Sequence, residues 1–157
     1  MVEVGKSQYL SESRNIGIFG LSANPPTYLG GHGGIVKYFV DLKEFDELWI
    51  LPVYRHSFSS KRYLERYEHR VAMCELNFEH LSSADCPVRV MPLERDVYSS
   101  LVHRNNLTGD LAPIRMGSVD VLLWVRERLP SGSRVSLILG GDTYRDLAGG
   151  KWKRADE

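Results

Sequence analysis

Apolar positions along the chain follow two periods. Asn15-Ile16-Gly17-Ile18-Phe19-Gly20 is a short apolar run that ends in glycine. Asp46 to Val53, Pro87 to Met91 and Arg134 to Leu139 are three more of the same kind. Near-continuous apolar runs of this length predict strands buried on both faces. Between them the spacing becomes helical. Ile35, Phe39 and Leu42 predict a helix over 35–42, after a Gly/Pro-rich loop from Leu21 to Gly34. Leu64, Tyr67, Val71, Cys74, Phe78 and Leu81 lie three or four residues apart, one stripe of a helix from Tyr63 to Leu81. Val119 to Leu129 predicts another, with Ser118 as its N-cap and Asp120 in its first turn. Leu93 to Arg115 is polar and reads as irregular, with one helical turn around Val97 to Val102.

Strand and helix alternate along the whole chain. That order predicts an α/β fold, a Rossmann-like doubly wound parallel sheet with helices on both faces. Ligands of such sheets sit outside the carboxyl ends of the strands, at the switch point. Three unusual loops fall there: Gly20 to Gly34, Tyr54 to Arg62, and Gly140 to Asp142. Residues 1–14 read as a disordered lead-in, and residues 15–157 as one domain.

Composition narrows the function. The chain has 157 residues, 43% of them apolar and 25% charged, so a single core is expected. Twenty basic and 20 acidic side chains cancel, which argues against bulk-charge binding of nucleic acid or anionic membrane. No apolar run approaches the roughly 20 residues of a membrane span, and no secretory signal core is present. Cys74 and Cys86 have neither metal-ligand nor redox spacing. The expectation is a reduced, cytoplasmic protein with no dedicated metal site.

The first loop contains neither GxGxxG nor GxxxxGK[ST], which removes the main support for a hydride-transfer or P-loop reading. Gly20 permits close backbone approach to a ligand, and His32 stands just before a helix, where free N–H groups favour an anion. The strongest local charge lies in 54–70. Arg55, Lys61, Arg62, Arg66 and Arg70 against Glu65 and Glu68 give 5 − 2 = +3. On charge alone such a run is a solvated face. His56, His69, His80 and His103 read as surface histidines.

These blocks resemble a family. IGIFGLSANPP followed by a Thr and a Gly-His is similar to the (H/T)-x-G-H loop of the nucleotidyltransferases. ILPVYRHSFSSKRYLERYEHRVAMCELNF and GGDTYRDL with its downstream KWK resemble the nicotinamide and nicotinate mononucleotide adenylyltransferases. The resemblance implies transfer of AMP from ATP to a pyridine mononucleotide, with release of pyrophosphate, in NAD synthesis. Mg²⁺ would be carried by the nucleotide. It further implies catalytic roles for His32 and Lys61, and phosphate or nucleotide contacts from Gly20, Leu21, Ser22 and Thr27. Gly140 and Asp142 would hold the adenosine, and Trp152 would stack on the pyridine ring.

Three departures qualify the match. Tyr28-Leu29-Gly30-Gly31 makes the loop two residues too long, so it must bulge to deliver His32. Met91-Pro92-Leu93-Glu94 lacks the tryptophan that eukaryotic-type members carry there. The family's following strand and its I-S-S-T-x-(I/L)-R helix are not found, and a homo-oligomer could cover the sheet edge this would expose. Two alternatives therefore stand beside the first reading: transfer to another phosphorylated acceptor or from CTP, and a nucleotide-binding module without turnover.

Overall fold

The computed structural model describes residues 12–55, 63–109, 111, 113–152 and 154. Four parallel strands, β1 (Asn15–Leu21), β2 (Glu47–Pro52), β3 (Val88–Val90) and β4 (Arg134–Ile138), lie in the order β3-β2-β1-β4. The chain thus winds outward from β1 in one direction, then crosses to its other side. The switch point falls between β1 and β4, where Phe19 pairs with Ile138.

Alternation along β1 builds both layers of core. Phe19 and Leu21 join Leu48 and Ile50 of β2 under α1 (His32–Leu42) and α2 (Tyr67–Phe78). Ile16 and Ile18 face the opposite way, with Leu51, Val97, Val121 and Val125. That second layer is closed by α3 (Leu93–Thr108) and α4 (Ser118–Arg126). A last helix, α5 (Gly141–Ala148), follows β4 and contributes no buried residue. The outer N–H groups of β3 are not left open. Val88 N–H donates to Ser82 Oγ (2.8 Å) and Val90 N–H to Glu79 Oε1 (3.2 Å).

Several boundaries differ from the sequence reading, each for a local reason. The second helix begins at Tyr67 rather than Tyr63, because the groups of a would-be first turn are engaged elsewhere. Asn24 takes Tyr63 O and Glu65 N–H, and Arg70 takes Glu65 O. The 93–115 stretch holds a sixteen-residue helix where one turn was expected. Leu93, Val97 and Leu101 form a stripe one residue wide, which the polar remainder obscures. Gly109, at φ +70°, ends it. Ser118 is the first helical residue rather than the cap; the N-cap is Gly117, whose N–H donates to Asp120 Oδ2 at 2.8 Å. The disordered lead-in falls largely on residues 1–11, outside the described residues.

Gly17 marks a close approach of β1 to the core. A Cβ there would meet Phe45 Cδ2 at 2.8 Å and Leu48 Cδ1 at 2.9 Å. Gly17→Ala is expected to lower unfolding free energy by about 1–3 kcal/mol in urea denaturation. An unchanged midpoint and slope would show that this face is loosely packed.

Candidate active site

The loop after β1 folds back on the start of α1 and brings Thr27 against His32. The His32 backbone N–H donates to Thr27 Oγ1 (2.9 Å), a side-chain cap that the N-cap residue Gly31 cannot supply. The Thr27 backbone N–H donates to His32 Nδ1 (3.0 Å), and the Thr27 hydroxyl lies 2.9 Å from the same nitrogen. A backbone N–H can only donate, so Nδ1 is the acceptor and the neutral ring carries its proton on Nε2. Nε2–H is thereby the donor the His32 ring has to offer.

The two additional residues form the expected bulge. Gly31 N–H donates to Tyr28 O (2.9 Å), which closes 28–31 into a turn and lets Thr27 and His32 meet. Tyr28 Oη lies 2.9 Å from His80 Nε2, so this histidine, read as a surface residue, anchors the bulge to the turn after α2. Glycine is required where the loop presses on the helix. A Cβ on Gly31 would collide with Thr27 Oγ1, and one on Gly33 would lie 2.9 Å from the Tyr28 carbonyl carbon.

Folding back also uses up donors that an anion was expected to find. The N–H groups of His32 and Gly33 are both taken by the loop. In the first turn of α1 these two amides are engaged by the loop, whereas the Gly34 N–H has no hydrogen-bond acceptor among the described residues.

Gly20, Leu21 and Ser22 stand at the carboxyl end of β1. Gly20 is exposed, whereas the Leu21 side chain is buried in the core and its carbonyl accepts the Val53 N–H (2.9 Å). The Ser22 carbonyl accepts from Arg70 Nη1 (2.8 Å). Arg70, read from sequence as part of a solvated basic face, is instead 1% exposed. It also donates to Val53 O (2.6 Å), Glu65 O (2.8 Å) and Tyr54 O (3.4 Å). Glu94, which the sequence reading passed over, accepts the Tyr54 N–H at 2.8 Å. Part of that residue's surface is exposed, but its carboxyl group is enclosed, and burial pushes its pKa up to about 7 against the pull of the Tyr54 N–H and Arg70. An arginine at position 70 of α2 near a carboxylate in the first turn of α3 carried no visible periodic signal.

Gly140 and Asp142 lie at the carboxyl end of β4, next to the end of β1 in the sheet order. Gly140 is the N-cap of α5, and Asp142 lies in its first turn. The Asp142 carboxylate is exposed and, among the described residues, has no hydrogen-bond partner, so it is open to a ligand hydroxyl. A Cβ on Gly140 would lie 3.0 Å from Asp142 Oδ1. Trp152 lines a groove with Leu122 of α4, Leu137 and Leu139, and Gly141, Tyr144 and Leu147 of α5, so the groove reaches the strand end that carries Gly140 and Asp142. Lys61 and His56 lie outside the described residues. Among the described residues, no group of three or more His, Cys, Asp or Glu could hold a metal ion. No helix there is long and apolar enough to cross a membrane. Cys74 and Cys86 are free and buried, and burial pushes the Cys74 thiol up to about 12.

Burial holds the His32 imidazole below its usual value. The folded state then binds fewer protons there than the unfolded state, so this term is fully present above pH 6.5 and is lost as pH falls through the folded pKa. NMR titration should show the His32 ring titrating below 6.5 as the Nε2–H tautomer. In Thr27→Val, loss of the hydroxyl should move the midpoint upward. A midpoint that stays unchanged would remove Thr27 from control of the ring.

No protein-family model matches the chain. A Myxococcus xanthus protein named as a probable nicotinate-nucleotide adenylyltransferase is 30% identical over 138 residues, 88% of this chain. The chain spans 60% of that curated relative's length. Two structures of the Plasmodium falciparum nicotinic acid mononucleotide adenylyltransferase share the fold, one complexed with NaAD and one with APC. Their TM-scores are 0.61 and 0.60 at 18% identity, covering 91% of this chain and 58% of theirs. In sequence and in fold alike, the chain is similar to the nicotinate-nucleotide adenylyltransferases.

Proposed function

We propose that the chain transfers AMP from ATP to a pyridine mononucleotide and releases pyrophosphate, a reaction of NAD synthesis in the cytoplasm. The observation that carries this reading is the tautomer of His32. Its Nδ1 is occupied by Thr27, which leaves Nε2–H as the donor at the carboxyl end of the sheet. In such a transfer a phosphate oxygen of the mononucleotide attacks the α-phosphorus of ATP. The bond to pyrophosphate breaks, and charge builds on the oxygens in between. The attacking group is already an anion, so catalysis is positioning and charge stabilisation, with no protein nucleophile required.

In this reading the His32 Nε2–H and Lys61 bind the transferring phosphate. Backbone groups of Gly20, Leu21 and Ser22 meet the mononucleotide, with Thr27 orienting His32. Gly140 allows the adenosine to approach, and Asp142 accepts from its ribose hydroxyls. Mg²⁺ arrives on the triphosphate and offsets its charge. A second reading of the acceptor, a phosphorylated group other than a pyridine nucleotide, is supported by Thr27 and by Leu93 following Pro92 where a tryptophan would form one wall of a pyridine pocket.

Pyrophosphate release should be measured with ATP and Mg²⁺ and, separately, nicotinate mononucleotide, nicotinamide mononucleotide and phosphopantetheine. Release is expected with one pyridine mononucleotide, and His32→Ala should lower turnover by about 10²- to 10³-fold. Release that requires phosphopantetheine would establish the second reading. No release with any acceptor, alongside retained ATP binding, would overturn both in favour of a nucleotide-binding module. Asp142→Ala should raise the ATP concentration needed for half-maximal rate; an unshifted ATP titration would remove it from the ribose.

A further inference from the structure

The carbonyl and the N–H of one peptide group, Val53–Tyr54, are held by opposite charges from two different helices. On α2, the Arg70 guanidinium donates to Val53 O (2.6 Å). On α3, the Glu94 carboxylate accepts from Tyr54 N–H (2.8 Å). Cation at oxygen and anion at hydrogen is the favourable alignment with the peptide dipole, and both bonds are charge-assisted. Arg70 Nη1 reaches Ser22 O as well, so one side chain ties this peptide, just past β2, to the loop just past β1. These are two adjacent strand ends, on the side of β1 away from its switch point with β4.

We propose that Arg70 and Glu94 are positioning residues for the transfer reaction, gripping the Val53–Tyr54 peptide between them so that the ends of β1 and β2 keep the spacing the phosphates require. This rests on the nucleotidyl-transfer reading. Neither side chain need touch substrate; they act through Ser22 and Tyr54. Lysine could not replace Arg70, because a single ammonium cannot reach carbonyls of three segments in the geometry of a planar fork.

The pair also makes the site sensitive to pH. The groups facing Glu94 are Arg70 and Tyr67 from α2 and the Tyr54 N–H from the end of β2; Arg95 and Asp96 follow it on α3. The Tyr67 hydroxyl is buried and, among the described residues, has no partner, so it offers Glu94 no hydrogen bond. The grip is therefore strongest when Glu94 is ionised, and weakens as pH falls through about 7.

Two readouts test this, and one needs no activity. In a ¹⁵N–¹H NMR titration, the Tyr54 amide should shift with a midpoint near 7 in the wild type and show no such step in Glu94→Gln. Wild-type turnover should fall between pH 8 and 6.5, a slope absent from Glu94→Gln. Arg70→Lys should lower kcat about 10- to 100-fold with a smaller change in KM for ATP. A Tyr54 amide that does not titrate, or titrates at the ordinary carboxylate value near 4.5, overturns the proposal. So does a midpoint near 7 with pH-independent turnover, or a folded Arg70→Lys as active as wild type. Should Arg70→Lys not fold, the Glu94→Gln slope and the Tyr54 titration decide. A wild type that releases no pyrophosphate fails at the functional reading instead, visibly separate because the Tyr54 titration is intact.

Discussion

A single buried guanidinium holds the functional end of the sheet together. Arg70 is inserted beneath three segments of chain and donates to backbone carbonyls in all of them: Ser22 after β1, Val53 and Tyr54 after β2, and Glu65 before α2. Burying a cation is costly unless its protons are satisfied. Here carbonyl oxygens satisfy it, with the Glu94 carboxylate one peptide away. The arrangement is asymmetric. The carbonyls gain little from the arginine beyond what water would give, but its loss would strand them without partners. The late start of α2 follows from the same contacts, since Glu65 O serves Arg70 instead of a helical turn.

On this base the site is built from parts of differing rigidity. The β1 loop closes on itself, with Thr27 and His32 exchanging hydrogen bonds and Gly31 and Gly33 giving room for the closure. The turn that absorbs the additional residues is pinned at its tip by Tyr28 on His80. Across the switch point, α5 buries no residue, and Asp142 stands exposed at its first turn. One wall of the site is therefore fixed by internal bonds and the other is lightly held. Under the proposed transfer reaction, such a division would let the first wall hold phosphates while the second yields for product release.

The fold was legible because strands buried on both faces write themselves as continuous apolar runs: all four strands lie where those runs lie. Helix α3 was not, since its stripe of Leu93, Val97 and Leu101 is one residue wide in a polar segment. The need for a bulge in the first loop was legible from its two additional residues. The fate of the α1 amides was not, because nothing in GGHGG says which donors the preceding residues will take. Arg70 was hidden for another reason. Net charge counts a basic residue the same whether it faces water or carbonyls, and only the tertiary positions of Ser22, Val53 and Tyr54 separate the two cases. Glu94 was similarly invisible, as its enclosure depends on how the start of α3 meets the turn after β2.

The central claim is that the carboxyl ends of β1 and β4 form one nucleotide site with His32 at its centre. Its most direct test is to map ¹⁵N–¹H shift changes across the chain while ATP with Mg²⁺ is titrated in. The account predicts changes concentrated in residues 20–34 and 140–142, with the His32 Nε2–H among the strongest. Changes that leave residues 20–34 and the His32 Nε2–H silent would contradict it.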